Sequence, residues 1–278
     1  MKAPVYVFAA SLLCLVGASS VSAQPQPPAS LTPDANLPEL ITDRPDITES
    51  SAVVGHGVWQ LETGMLFESD RAERVTVHDL SAPNALMRIG IGSRFELRLG
   101  GEGMLSETLS TGVPRATAGS DFQLGFKYVF LDQSRAGVDA AIIPIVSFPV
   151  GGNEFSSGST DPTLKVTLSR DLPRGFGLGG NVIVASTTVD DRRSTQTAVS
   201  ASLGHSLGQG WAGFWELYGE SALRGERGAA WTFDTGVTRA LGGNAQIDVS
   251  VGRGLTGRAS DWFFGAGFAI RGAFRHRR

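Results

Sequence analysis

The chain predicts an all-β fold: a transmembrane antiparallel up-and-down β-barrel of about 12 strands, with both termini on the periplasmic side. Three observations predict it. Short runs alternate apolar and polar residues at period 2 along most of the 278 residues. The links between those runs alternate short and long. The last run, Trp262–Phe274, sets Phe264, Ala266, Phe268, Ile270 and Phe274 on one face and Phe263, Gly265, Gly267, Ala269 and Arg271 on the other. A greasy face opposite a thin or polar one suits a strand with lipid on one side, and closure with the first strand leaves no edge in lipid.

The N-terminus reads as a signal peptide. Lys2, the apolar run Val5–Val16 and Val21-Ser22-Ala23 form a charged region, an apolar region and a small-x-small cleavage site, with cleavage expected after Ala23. The run is too short to span a membrane as a helix. Cys14 lies inside it, after Leu12-Leu13 rather than in a small-residue lipoprotein context. The mature chain then has no cysteine, so no disulfide framework and no thiolate-ligated metal are expected, and no cofactor is. Gln24–Pro38 is rich in Pro, Gln and Ser and reads as a flexible leader, within an N-terminal segment running to residue 57.

From Val58 the alternation begins. Trp59, Leu61, Thr63, Met65 and Phe67 share one face, followed by Met87, Ile89 and Ile91, then Phe95, Leu97 and Leu99, then Phe122, Leu124, Phe126, Tyr128 and Phe130. Val138–Ser147 is apolar on both faces, and Pro144 is awkward for a fully paired strand. The pattern resumes with Leu164–Leu168, Phe176–Val184, Val199–Leu203, Trp211–Leu217, Trp231–Val237 and Ala245–Val251. No mature segment offers about 18 consecutive apolar residues, which excludes a helical membrane protein. A mean hydropathy of +0.01 does not exclude a barrel, because alternation hides its apolar face.

Links near Gly92–Arg94, Leu131–Gly137, Asp171–Arg174, Ser206–Gly210 and Leu241–Gly243 are short. Those at Ser69–Pro83, Met104–Ser120, Pro149–Thr160, Ser186–Ser194, Ser221–Gly228 and Arg253–Asp261 are longer and polar. Membrane barrels have short periplasmic turns and longer extracellular loops, whereas a soluble sandwich has no reason to sort loops by end. Trp59, Trp211, Trp231, Phe130 and Phe176 sit where interfacial aromatic girdles are expected.

The opposite face carries Glu62, Arg88, Glu96, Arg98, Glu102, Asp121, Lys127, Lys165, Glu216, Asp234, Asp248 and Arg271. These are lumen and selectivity candidates. They either pair across strands and fill a narrow interior or line a water-filled pore; glycines on the same face either relieve crowding or leave room for a ligand. No catalytic triad, HExxH or GxSxG pattern is present. His56, His78, His205 and His276 lie before the first strand, in a loop, at an outward strand end and in the tail, so no enzyme activity is expected. Net charge is −3 with both signs scattered, and no basic block suggests nucleic acid.

The stretches Thr42-Asp43-Arg44-Pro45-Asp46 with Thr48, Gln60-Leu61-Glu62 with Gly64, Arg88 with Gly90, Glu96-Leu97-Arg98, Gly125-Phe126-Lys127-Tyr128, Pro149 with Gly151, Glu216, and Asp248 with Gly252-Arg253-Gly254 carry a resemblance. Their order and spacing resemble the meta-pathway phenol-degradation family of outer-membrane barrels, over most of the span from Thr42 onward. The basic tail Arg275–Arg278 departs from it, since the family usually stops near its last aromatic. The resemblance implies an outer-membrane location in a Gram-negative bacterium and passage of small organic, aromatic solutes.

Asp43, Arg44 and Asp46 form the one motif that strand physics does not require. The segment Leu40–Ser51 either folds into the periplasmic mouth as a plug, pairing with charges such as Arg88 or Glu96, or serves as a linker whose proline keeps it out of the sheet. Function is read likewise in two ways: a channel for small hydrophobic or aromatic molecules with lumen charges setting selectivity, or a closed structural or adhesive barrel. Expected partners are the outer-membrane bilayer, the assembly machinery through the last strand, and a small organic solute.

Overall fold

In a computed structural model of the chain, residues 37 and 39–274 are described, except 73–74, 111 and 113. The expected signal peptide, most of the leader, the basic tail and His276 lie outside the described residues. The described residues form twelve antiparallel strands: β1 Val58–Ala72, β2 Val75–Gly90, β3 in two pieces (Phe95–Gly101 and Met104–Leu109), β4 in two pieces (Pro114–Gly119 and Phe122–Leu131), β5 Asp139–Phe148, β6 Asp161–Leu172, β7 Phe176–Val189, β8 Arg192–Gly208, β9 Trp211–Glu220, β10 Ala230–Ala240, β11 Ala245–Gly254 and β12 Trp262–Ala273. The pieces of β3 keep one register on β2, where Ala85 faces Gly101 and Ala82 faces Met104, so the break is a kink within one strand.

Each strand pairs with its sequence neighbours, and β1 pairs with both β2 and β12. Val58 faces Ala273 and Ser69 faces Trp262 across the closing seam. Closure leaves no strand edge in lipid, which matters because bilayer hydrocarbon cannot hydrogen-bond free backbone groups.

The burial pattern is inside-out relative to a soluble protein. On β6, Thr163, Lys165 and Thr167 are buried while Leu164 and Leu168 are exposed. On β12, Phe264, Phe268 and Ile270 are exposed while Phe263, Ala269 and Arg271 are buried. An outward belt of apolar side chains over polar inward ones is what lipid on the outside selects. Trp59 and Trp211 lie near the short-turn rim with Phe130 and Phe176, and Trp231 lies near the other rim, as does Trp262.

Three of the expected long loops are instead strand. β1 continues through Ser69–Ala72 and β2 from Val75 through Pro83, β3 and β4 run through most of Met104–Ser120, and β7 and β8 through Ser186–Ser194, closing at Asp190 and Asp191 with φ of 49° and 59°. Beyond the bilayer the outward face need not be apolar, so the sequence loses its alternation while the backbone keeps pairing. Positive φ at two successive residues fits a two-residue hairpin. His78, expected in a loop, therefore lies on β2 with its ring stacked on Phe67, centroids 5.5 Å apart. Pro144 lies within β5; the ladder with β4 pairs Gly125 with Ile145, skips Pro144, and resumes at Tyr128 with Ile142.

Candidate functional site

Residues 39–57 do not join the sheet. They enter at the short-turn rim, where Gly57 N–H donates to the Gly90 carbonyl, and run inside the barrel. Thr42, Asp43, Asp46 and Thr48 are 0% exposed. This stretch lacks period-2 alternation and carries Pro45, so its backbone cannot satisfy itself in a ladder. Wall side chains do it instead. Asp43 N–H donates to Glu62 at 2.8 Å, Val54 N–H to Glu96 at 2.9 Å, and Ile47 and Thr48 N–H to Glu216 at 2.6 and 2.7 Å. The Ile41 and Ala52 carbonyls accept from Arg88, and the Ser50 carbonyl from Lys127. The lumen charges thus serve first as hydrogen-bond partners for an inserted segment.

They also bind its side chains. Asp43 lies 3.4 Å from Arg88, 2.5 Å from Arg98 and 3.0 Å from Lys127. Glu49 meets Arg98 at 2.8 Å and Lys165 at 2.6 Å. Glu62 and Glu96 on the wall each meet Arg88, at 3.0 and 2.9 Å. Four cations face four carboxylates, and two of those carboxylates, Asp43 and Glu49, belong to the segment. Without it this wall would hold two uncompensated positive charges. Burial alone would raise the Asp43 carboxyl, but Arg88, Lys127 and Arg98 outweigh it and hold Asp43 well below the usual carboxylate range.

Across the lumen, Arg44 reaches Asp248 at 3.1 Å. Its guanidinium lies where Gly64 and Gly267 leave space: a Cβ on Gly267 would stand 2.4 Å from Arg44 Nε. The wall glycines thus make room for a side chain of the same chain. Gly267→Ala is expected to push Arg44 off Asp248 and loosen the segment while preserving the barrel. Faster proteolysis of residues 39–57, with unchanged heat-modifiable gel migration, would check this.

The sequence-expected residues fall into three groups. Glu62, Arg88, Glu96, Arg98, Lys127, Lys165, Glu216 and Asp248 all touch the inserted segment. Asp234 lies opposite Glu216 in the ladder between β9 and β10. Of the other three, Arg271 is close enough to Glu39, at the start of the segment, for their charges to act on one another, and Asp121 and Glu102 lie at the breaks in β4 and β3. Arg271 bonds the Gly243 carbonyl and Asn244 at the short-turn rim. Asp121 accepts from Gly151 N–H at the β4 kink, anchoring a loop rather than facing the network. Glu102 borders a cavity. Sequence reasoning quoted Thr48 and Gln60 only as motif residues and enclosed Glu49 only within the candidate plug Leu40–Ser51, and it gave no role to Gln246. Gln60 donates to the Ile41 carbonyl, and Gln246 to Thr42. The available signal was the acid excess of Asp43–Glu49, set against Arg88, Arg98, Lys127 and Lys165 on the inward face of β2, β3, β4 and β6.

The cavity lies on the long-hairpin side of the segment, with a volume of about 150 Å³. Asp43, Arg44, Pro45, Ile47 and Glu49 form its floor; Leu66, Leu86, Tyr218 and Phe263 supply an apolar wall, and Glu62, Glu68 and Glu102 add acceptors. Among the described residues no group of His, Cys, Asp or Glu has the arrangement to hold a metal ion.

Among solved structures, an outer membrane channel from Pseudomonas putida F1 superposes with a TM-score of 0.61 at 11% identity, covering 80% of this chain and 98% of that one. The NanC and KdgM porins match at TM-scores of 0.49 and 0.47 with 12% and 11% identity, covering 76% and 77% of this chain and 98% and 99% of theirs. At such identity the first likeness is one of fold. No curated protein matches the chain in sequence. A family model described as "Putative MetA-pathway of phenol degradation" matches residues 42–272, from the inserted segment to the closing strand, and the chain belongs to that family.

Proposed function

We propose that the protein is an outer-membrane channel for small hydrophobic or aromatic solutes, held closed by its own residues 39–57. The observation that carries this reading is the cavity above the segment. About 150 Å³ matches cavities that hold one benzene ring. Apolar side chains surround it and carboxylates ring it, a lining that suits a ring bearing a hydroxyl donor. The floor is a segment joined to the wall by ion pairs and hydrogen bonds, so displacing it requires no unfolding of the sheet. Its charges, with Arg88, Arg98, Lys127, Lys165, Glu216, Asp234 and Asp248 on the wall, then set selectivity. In this reading an N-terminal signal peptide exports the chain in a Gram-negative cell, the short-turn rim faces the periplasm, and the assembly machinery receives the closing strand.

Deleting Leu40–Ser51 tests the reading. The deleted barrel is expected to conduct in planar bilayers well above the full-length protein, and cells carrying it to take up labelled phenol faster than deletion cells. A folded, deleted barrel that is silent in both assays would favour the closed structural barrel, which the complete charge pairing of the cationic wall otherwise also suits.

A further inference from the structure

The inserted segment meets two walls of opposite character. Toward β2–β6 its carboxylates are paired with Arg and Lys. Toward β8–β10 its Asp46 faces acids: Glu216 of β9 and Asp234 of β10, which stand directly opposite one another, and the hydroxyl of Ser202 on β8. Asp46, Glu216 and Asp234 are 0%, 1% and 1% exposed. Among the described residues none of the three forms an ion pair, whereas nearby Arg44 is engaged by Asp248.

Glu216 is satisfied as an anion, since it accepts from Ile47 N–H, Thr48 N–H and the Thr48 hydroxyl. Asp46 is not. Both its carboxyl oxygens are buried without a hydrogen-bond partner, as are Asp234 Oδ1 and Ser202 Oγ. A second buried carboxylate without donors, beside an ionised one, carries both a desolvation penalty and like-charge repulsion. A neutral acid avoids both, and its O–H becomes a donor to oxygens that otherwise lack one.

We propose that the seated segment binds a proton at Asp46, so that closure is proton-linked: acid holds the barrel shut and rising pH favours release of the segment. The inference rests on the reading of residues 39–57 as the closure. Burial, with Glu216 and Asp234 alongside, pushes the Asp46 carboxyl well above the usual carboxylate range. Displaced into water, Asp46 returns to an ordinary value of about 4. Between those two values Asp46 gives up one proton on release and contributes a factor of about ten per pH unit to the displaced-to-seated ratio; Glu39, at the start of the same segment and pushed up to about 7 by burial, adds to that rise below pH 7. Below about pH 4 Asp46 adds no slope, because it is protonated in both states, and Asp43, protonated there only when displaced, turns the ratio upward again as pH falls. Asp43, held ionised by its three cations, adds no slope above that point.

Ser50→Cys, in a Cys14→Ser background, reports release directly. Ser50 is 4% exposed on the seated segment. Maleimide labelling of the folded barrel, divided at each pH by the rate of the unfolded chain, is expected to climb from pH 5 by at least a factor of about ten per unit. Adding Asp46→Asn, which places an uncharged isostere at that position, should lower the slope throughout, flatten the profile above about pH 7, where Glu39 is ionised in both states, and keep labelling low. Asp234→Asn leaves the segment untouched and should shrink the total rise, because it removes one of the acids facing Asp46. A flat profile in the parent, an unchanged slope in Asp46→Asn, or a ratio that follows Na⁺ or Ca²⁺ rather than pH would overturn the proposal. Labelling that follows pH while conductance does not would overturn the closure reading and leave proton binding standing.

Discussion

Asp43→Asn is expected to open the barrel. The Asp43 carboxylate is fully buried and sits among Arg88, Arg98 and Lys127, at 3.4, 2.5 and 3.0 Å. Removing its charge leaves that wall with one more positive charge than it can neutralise while the segment is seated. Taking one partner from a buried ion network costs about 3–5 kcal/mol. The displaced state bears little of that cost, because water then reaches the cations. The seated-to-displaced ratio should therefore fall by more than a hundredfold, since about 1.4 kcal/mol corresponds to a factor of ten. Single-channel recording is the measurement. The variant should resemble the Leu40–Ser51 deletion in conductance and retain heat-modifiable migration. Conductance equal to the parent's would mean that Asp43 does not hold the segment in place.

Phe268→Arg should destabilise the barrel itself. Phe268 is 44% exposed, on the outward face of the closing strand and opposite Ile247 and Thr63. A lipid-facing Arg costs about 2–4 kcal/mol near the bilayer midplane and about 0–1 near the interfaces. Phe268 lies near the middle of β12, so the larger figure applies. Unfolding in lipid vesicles, followed by gel migration against urea, should show a lower midpoint with an unchanged slope. The same exchange on a water-facing strand would be nearly neutral, so an unshifted midpoint would argue against lipid on that face.

The barrel was legible because its cause is local. A strand with lipid on one side must alternate at period 2 wherever it runs, so Trp59–Phe67 and Trp262–Phe274 can each be read from their own residues, and their antiparallel pairing follows from closure. Reading failed where that cause stops. Past the bilayer, Ser69–Ala72, Val75–Pro83 and most of Ser186–Ser194 continue as strand with no lipid to impose a pattern, and they look like loops. The charges of the lumen were legible as a set but not as pairs. Arg88, Arg98, Lys127 and Lys165 signal that something anionic faces them; nothing in their spacing says that it is Asp43 and Glu49.

By itself, then, the sequence determined an all-β membrane barrel, its inward and outward faces and its closing strand, because each depends on contacts with solvent or lipid that act residue by residue. Only the tertiary structure decided that residues 39–57 occupy the lumen, that Gly64 and Gly267 make room for Arg44, and that Asp46 meets acids rather than bases. Those contacts join residues distant in the chain, Arg44 with Asp248 and Thr48 with Glu216 among them. Their partners are chosen by where a closed barrel brings charges within a few ångströms of one another, which a period along the chain does not encode.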